Sequence, residues 1–299
     1  MKQVIVLALI WSMVGAVFAS DVSKEAFGQF KVLSVISSKE EWKEFAKSGG
    51  GYFVIPSDLT KYLAGTLQEA RSLGDHNADK KEGYFEEEKQ QHKLQILEKK
   101  DWSKFSQKET KTLAQGMNDV AVFILRKTLE ALDVPEALWS KATGGLSDSK
   151  GLNHFKLVYY DPDKRAPGIS WHKDFRWVTV FYFDQPGLQG KIGDEVINVA
   201  PKEGHFFVNL GTFFEAFIDN PEILNALTHQ VVEQVSAPRV AAGIFCRGAY
   251  PNKIYYRLVD NKLVEIDENE VKKYEIKDEK GLFSIAPNSA FSPYYQQDQ

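Results

Sequence analysis

From Gly151 onward the sequence breaks into short runs rich in β-branched and aromatic residues, and this constrains the fold more than any other feature. Phe155-Lys156-Leu157-Val158-Tyr159-Tyr160, Trp177 to Phe183, His205 to Leu210, His229 to Glu233 and Val240 to Cys246 all have strand length and strand composition. Pro162, Pro167-Gly168, Pro186-Gly187, Gly190, Gly193-Asp194, Gly204, Gly211 and Pro238 punctuate them. Many short strands at this spacing predict sheet packed on sheet, a sandwich or jelly roll, and argue against a parallel α/β sheet.

Upstream the period is different. A helix around Glu41-Trp42 precedes a strand at Gly51-Tyr52-Phe53-Val54-Ile55, and a second helix opens after Pro56-Ser57-Asp58 with Leu59, Leu63, Leu67 and Ala70 on one face. Leu113, Met117, Val120, Ile124 and Ala131 predict a longer helix that stops at Asp133-Val134-Pro135. Residues 75–112 are highly charged and read as a solvated excursion. The chain is therefore read as α+β, with a mainly helical region at 21–150 docked on a β-rich core and C-terminal tail at 151–299.

The composition, 43% hydrophobic and 26% charged, is that of a globular protein. A net charge of −4, with basic and acidic residues interspersed, offers no field for nucleic acid. The single cysteine, Cys246, lies in an apolar run and reads as a small buried hydrophobe, so no internal disulfide is expected. At the N-terminus, Lys2 precedes an apolar run from Val4 to Val17, followed by Phe18-Ala19-Ser20. This is the pattern of a signal peptide over residues 1–20, too short to span a bilayer comfortably. The expected protein is secreted or periplasmic, without stable membrane insertion after cleavage.

Two of the six histidines stand in a chemically suggestive arrangement. In a strand, residues two apart share a face, so His172 and Asp174 can reach one ion, and His229 from a neighbouring strand can complete a set of three. Two imidazoles and one carboxylate on one side of an octahedron form the facial triad of non-haem Fe(II) oxygenases. By themselves the same residues also fit a surface loop after Pro167-Gly168 and a hydrogen-bonded histidine at a strand start. Gly49-Gly50-Gly51 lacks the lysine and serine of a phosphate loop, and no nucleophile elbow is present.

The surrounding residues resemble the isopenicillin-N-synthase-like branch of the Fe(II)/2-oxoglutarate-dependent dioxygenases over nearly all of the mature chain. Tyr159-Tyr160, His172-Lys173-Asp174 with Thr179, Gly187-Leu188-Gln189, Ala200-Pro201, Gly204, Val208-Asn209-Leu210-Gly211, His229-Gln230-Val231-Val232 and Arg239 occur in the family's order. The resemblance implies a double-stranded β-helix (jelly roll) with an N-terminal helical region, and Fe(2+) held by His172, Asp174 and His229. It further implies that Arg239 binds the distal carboxylate of 2-oxoglutarate and that Tyr160 contacts the same co-substrate. Dioxygen and a small-molecule substrate would be its partners, and no catalytic residue is assigned beyond the metal site. Two positions depart from the pattern: Ala241 replaces a serine two residues after Arg239, and Val158 replaces an asparagine two residues before Tyr160.

The implied activity couples oxidative decarboxylation of 2-oxoglutarate to hydroxylation, desaturation or cyclisation of a small organic substrate. Two alternatives fit the departures: a 2-oxoglutarate-independent oxidase of the isopenicillin N synthase kind, in which Arg239 holds the substrate, and a catalytically silent exported module that binds a small acid. Export itself has a direct test. N-terminal sequencing of the exported protein should begin at about Ser20 or Asp21; retention of Met1 would show an uncleaved anchor.

Overall fold

The computed structural model describes residues 30–74, 91–105, 107–163, 168–234 and 237–275, so the signal peptide read at 1–20 lies outside the described residues. Helix α1 (Lys39–Ser48) begins where Ser38 and Glu41 form a capping box, each side chain accepting from the other's backbone N–H, at 3.3 and 2.7 Å. It ends at Gly49, whose φ of +75° and close approach to the Asn225 carbonyl leave no room for a Cβ. This turn feeds β2 (Gly50–Val54), which pairs in parallel with β1 (Val32–Leu33). Helix α2 (Leu63–Ser72) buries Leu63, Leu67 and Ala70, and α3 (Lys108–Ala131) buries Leu113, Met117, Val120, Ile124 and Ala131, as the helical spacing predicts.

The excursion expected at 75–112 is different in part. Gln91–Glu98 forms β3, the edge strand of the main sheet, and α3 starts at Lys108. An edge strand is held by backbone hydrogen bonds along one side, so a polar, charged sequence can occupy it without the pattern of a core strand.

The remaining strands are β4 (His154–Tyr160), β5 (Ile169–His172), β6 (Val178–Phe183), β7 (Leu188–Ile192), β8 (Glu195–Val199), β9 (His205–Leu210), β10 (Thr228–Val231) and β11 (Arg239–Cys246). They build a seven-stranded sheet in the order β1-β2-β9-β6-β11-β4-β3 and a four-stranded sheet in the order β5-β10-β7-β8. Helix α4 (Glu136–Ala142) lies before β4, α5 (Thr212–Ile218) follows β9, and a hairpin of β12 (Tyr255–Val259) and β13 (Lys262–Ile266) leads to α6 (Glu268–Lys272). Among the described residues no helix is long and apolar enough to cross a membrane.

Strand alternation gives the large sheet two cores. Phe155, Leu157, Val178, Val180, Phe206, Val208, Val240, Ala242 and Ile244 pack with the helices, and Cys246 joins them as the fully buried small side chain expected. The opposite face sends Val158, Tyr160, Phe183, Phe207 and Ala241 toward Leu188, Ile197, Val199 and Val231 of the small sheet. The N-terminal region thus contributes β1, β2 and β3 to the main sheet as well as its helical cover.

Candidate metal centre

Pairing in the small sheet sets His229 of β10 directly opposite His172 at the end of β5. Their ring centroids are 4.2 Å apart. Asp174 lies two residues beyond His172, with its Oδ1 3.6 Å from His172 Nε2 and 3.9 Å from His229 Nε2. Among the described residues these three form the group able to hold a metal ion, with one ligand atom from each within 4.8 Å of the others, and all three are buried.

Hydrogen bonds on the far side of each ligand direct the lone pairs inward. His172 Nδ1 meets the Ser170 carbonyl at 2.8 Å and His229 Nδ1 meets the Leu227 carbonyl at 3.0 Å. Each ring in the tautomer that donates from Nδ1 presents a bare Nε2 to the centre. The Oδ2 atom of Asp174 accepts from Thr179 Oγ1 at 2.5 Å and from Asn209 Nδ2 at 3.1 Å, which leaves Oδ1 for a metal. Burial opposes the charge on Asp174, but the two histidines and Thr179 hold its carboxyl below the usual range. Burial, reinforced by His172, lowers His229 to about 4, so its imidazole is neutral at pH 7 and binds a cation without first losing a proton.

The backbone around Asp174 is also clamped. Its carbonyl accepts from Arg176 N and from Thr212 N, both at 2.9 Å, and Lys173 reaches outward to make two 2.8 Å bonds with Glu215 on α5. Gly211 makes this approach possible, because a Cβ there would lie 2.2 Å from the Arg176 carbonyl and 2.6 Å from that of Asp174.

Arg239 opens β11 opposite Tyr160 of β4. Its Cζ lies 5.0 Å from the Tyr160 ring centroid and 4.8 Å from that of Phe183, and its Nε donates to the Gln185 carbonyl at 3.2 Å. The guanidinium also hydrogen-bonds Tyr160. Its Nη1 is buried with no hydrogen-bond partner among the described residues. The neighbouring acid, Asp184, is engaged by Arg71 at 2.7 Å and by the Val240 N–H at 2.9 Å. A buried guanidinium with an unused N–H suits a ligand carboxylate. Around it, Ala241 and Val158 pair across β11 and β4 as apolar members of the inner core.

Residues 152–248 match the sequence profile of the 2OG-Fe(II) oxygenase superfamily. No curated protein matches the chain by sequence. In fold it is similar to the rice dioxygenase for auxin oxidation, with a TM-score of 0.64 and 19% identity over 82% of this chain and 94% of that one. The Arabidopsis thaliana dioxygenase for auxin oxidation 1, in complex with 2-oxoglutarate, has a TM-score of 0.59 and 14% identity over 74% and 93% of the two chains. A full-length Neurospora crassa protein in complex with alpha-KG and thymine has a TM-score of 0.58 and 13% identity over 84% and 94%.

The double-stranded β-helix and its His-Asp-His site define a non-haem iron oxygenase. With the profile match over residues 152–248, the fold and the site are those of an Fe(II)/2-oxoglutarate-dependent dioxygenase, an oxidoreductase. The donor set fits Fe(II), and the unused Nη1 of Arg239 fits the co-substrate's carboxylate. When bound, Fe(II) supplies the open coordination positions and the redox chemistry that couples 2-oxoglutarate to substrate oxidation.

Pattern reading did not single out Lys156, Phe181 or Phe245 as site residues, although all three line the same side of the sheet. A lysine inside the run Phe155 to Tyr160 was the available signal, because a strand covered on both faces has no ordinary place for an ammonium.

Removing a ligand should abolish tight metal binding without unfolding the chain. His172→Ala, Asp174→Ala and His229→Ala should each lose high-affinity Fe(II) in anaerobic titration while keeping the far-UV circular dichroism of the parent; full occupancy in any of them would remove that residue from the site. Gly211→Ala tests the clamp behind Asp174. It should destabilise the fold by about 2 kcal/mol or more in urea unfolding and weaken Fe(II) binding, since two backbone carbonyls would have to retreat.

Proposed function

We propose that this dioxygenase couples decarboxylation of 2-oxoglutarate to hydroxylation, desaturation or cyclisation of a small organic substrate lying against Phe181 and Phe245. The observation that carries this reading is that both rings stay half-buried among mostly buried strand residues, on the face that holds the triad. Phe181 approaches His229 with ring centroids 6.4 Å apart and packs edge-on against Phe245 at 5.5 Å. Aromatic walls beside the metal ligands suit an apolar substrate body and keep bulk water from the reacting carbon. The rice relative is a dioxygenase for auxin oxidation, and the Neurospora crassa protein has been crystallised with thymine; both compounds are small organic molecules.

In this reading Arg239 anchors the distal carboxylate of 2-oxoglutarate, with Tyr160 and Phe183 packed around the guanidinium. The alanine at 241 and valine at 158 remove polar groups from the floor, so the anchor depends on Arg239 more heavily. The apolar leader from Val4 to Val17 supports action outside the cytosol.

Oxygen uptake by the Fe(II)-loaded protein, with and without 2-oxoglutarate, tests the reaction class. Arg239→Ala should raise the apparent co-substrate constant by roughly 10²-fold or more and leave iron affinity unchanged, and Ala241→Ser should lower that constant by up to about tenfold. If Arg239→Ala left 2-oxoglutarate consumption intact and destroyed affinity for an organic substrate, the oxidase reading would replace this one.

A further inference from the structure

We propose that Lys156 is the anion-binding residue of the substrate pocket and that the organic substrate is itself a small carboxylic acid with a planar or apolar body. This inference rests on the reading of the Phe181 and Phe245 cleft as the substrate site. Lys156 is 8% exposed and lies on β4 with its side chain on the triad's side of the sheet, sharing that face with Val158 and Tyr160. Its register partner on β11 is Gly243, which carries no side chain, so Phe181 and Phe245 close over that position. The Lys156 Nζ rests 4.3 Å from the Phe245 ring centroid, and Phe245 in turn stacks on His154 at 5.4 Å. Contact therefore runs from His229 through Phe181 and Phe245 to the ammonium.

Among the described residues this cation has a ring for company and no hydrogen bond or ion pair. Asp174, the carboxylate that acts on it, is already held through Oδ2 by Thr179 and Asn209 and offers Oδ1 to the metal. Glu98, opposite His154 at the edge of the sheet, pairs with Lys100 at 3.0 Å. A cation–π contact offsets only part of the cost of desolvating an ammonium. Burial, with Arg176 nearby, accordingly lowers Lys156 to about 7. An arriving carboxylate would restore the missing counter-charge.

Lys156 and Tyr160, the partner of Arg239, are four residues apart on one strand, about 13 Å between their backbones, so the two cations enter the cleft at different levels. The cleft thus has two cationic positions, one for each acid, and Lys156 is the one nearer the level of the triad-holding Thr179.

Phenylacetate and its neutral counterpart phenylacetamide probe the subsite. Both are titrated anaerobically into the protein loaded with Fe(II) and 2-oxoglutarate, by calorimetry and by the visible absorption of the loaded site. Phenylacetate should bind at least about tenfold more tightly. Lys156→Met should erase that preference, keep 2-oxoglutarate binding within about twofold, and raise the melting temperature by relieving a buried charge; Lys156→Arg should keep the preference. Equal binding of the two compounds, binding of neither, or a preference that survives in Lys156→Met overturns the proposal. A loss of 2-oxoglutarate affinity in Lys156→Met would instead place the co-substrate on this lysine, and a fall in melting temperature with the preference intact would make it a packing residue.

Discussion

The pair of hydrogen bonds onto Asp174 Oδ2 is the interaction on which the rest of the site depends. Thr179 and Asn209 are register partners on β6 and β9 of the large sheet, whereas Asp174 follows β5 of the small one. The carboxylate is therefore a tie between the two layers, and the tie aims Oδ1 at the point where the two Nε2 atoms converge. A buried carboxylate without such donors costs several kcal/mol of lost hydration. The jelly roll closes over this charge because closure supplies the partners that replace water.

The same logic explains the distribution of positive charge. Arg239 and Lys156 are buried on one face of the large sheet, Arg239 with an Nη1 that has no hydrogen-bond partner among the described residues, and the strip between them is apolar. Pre-formed cations in a medium of low polarity are costly in the empty protein and strongly favour anions that fit. The absence of the serine and asparagine hydrogen-bonding groups at 241 and 158 concentrates recognition of acids at the two cationic positions.

Much of the architecture was legible because its signals are local. Turn residues delimit the central strands, the three-to-four spacing marks α2 and α3, and the segment around Glu41-Trp42 marks α1. Strand β3 was hidden because its charged sequence forms an edge through backbone bonds, and β7 because a five-residue strand carrying Gly190 and Lys191 resembles a turn until its partner β8 is present. Lys156 was passed over for a related reason. In the sequence it is a lysine in a strand, and only the cover on both faces of β4 makes it a buried cation.

What the sequence by itself determined was the inventory: a His-x-Asp pair with the period of a strand, a later histidine and arginine, and enough turn-bounded strands to make two sheets. Those features act over a few residues, where backbone geometry and hydrophobic period decide the outcome. Which donors face one another was decided by tertiary structure alone. The pairing of His229 with His172, of Arg239 with Tyr160 and of Lys156 with Gly243 depends on strand register, and a one-residue slip would send every one of these side chains to the opposite face.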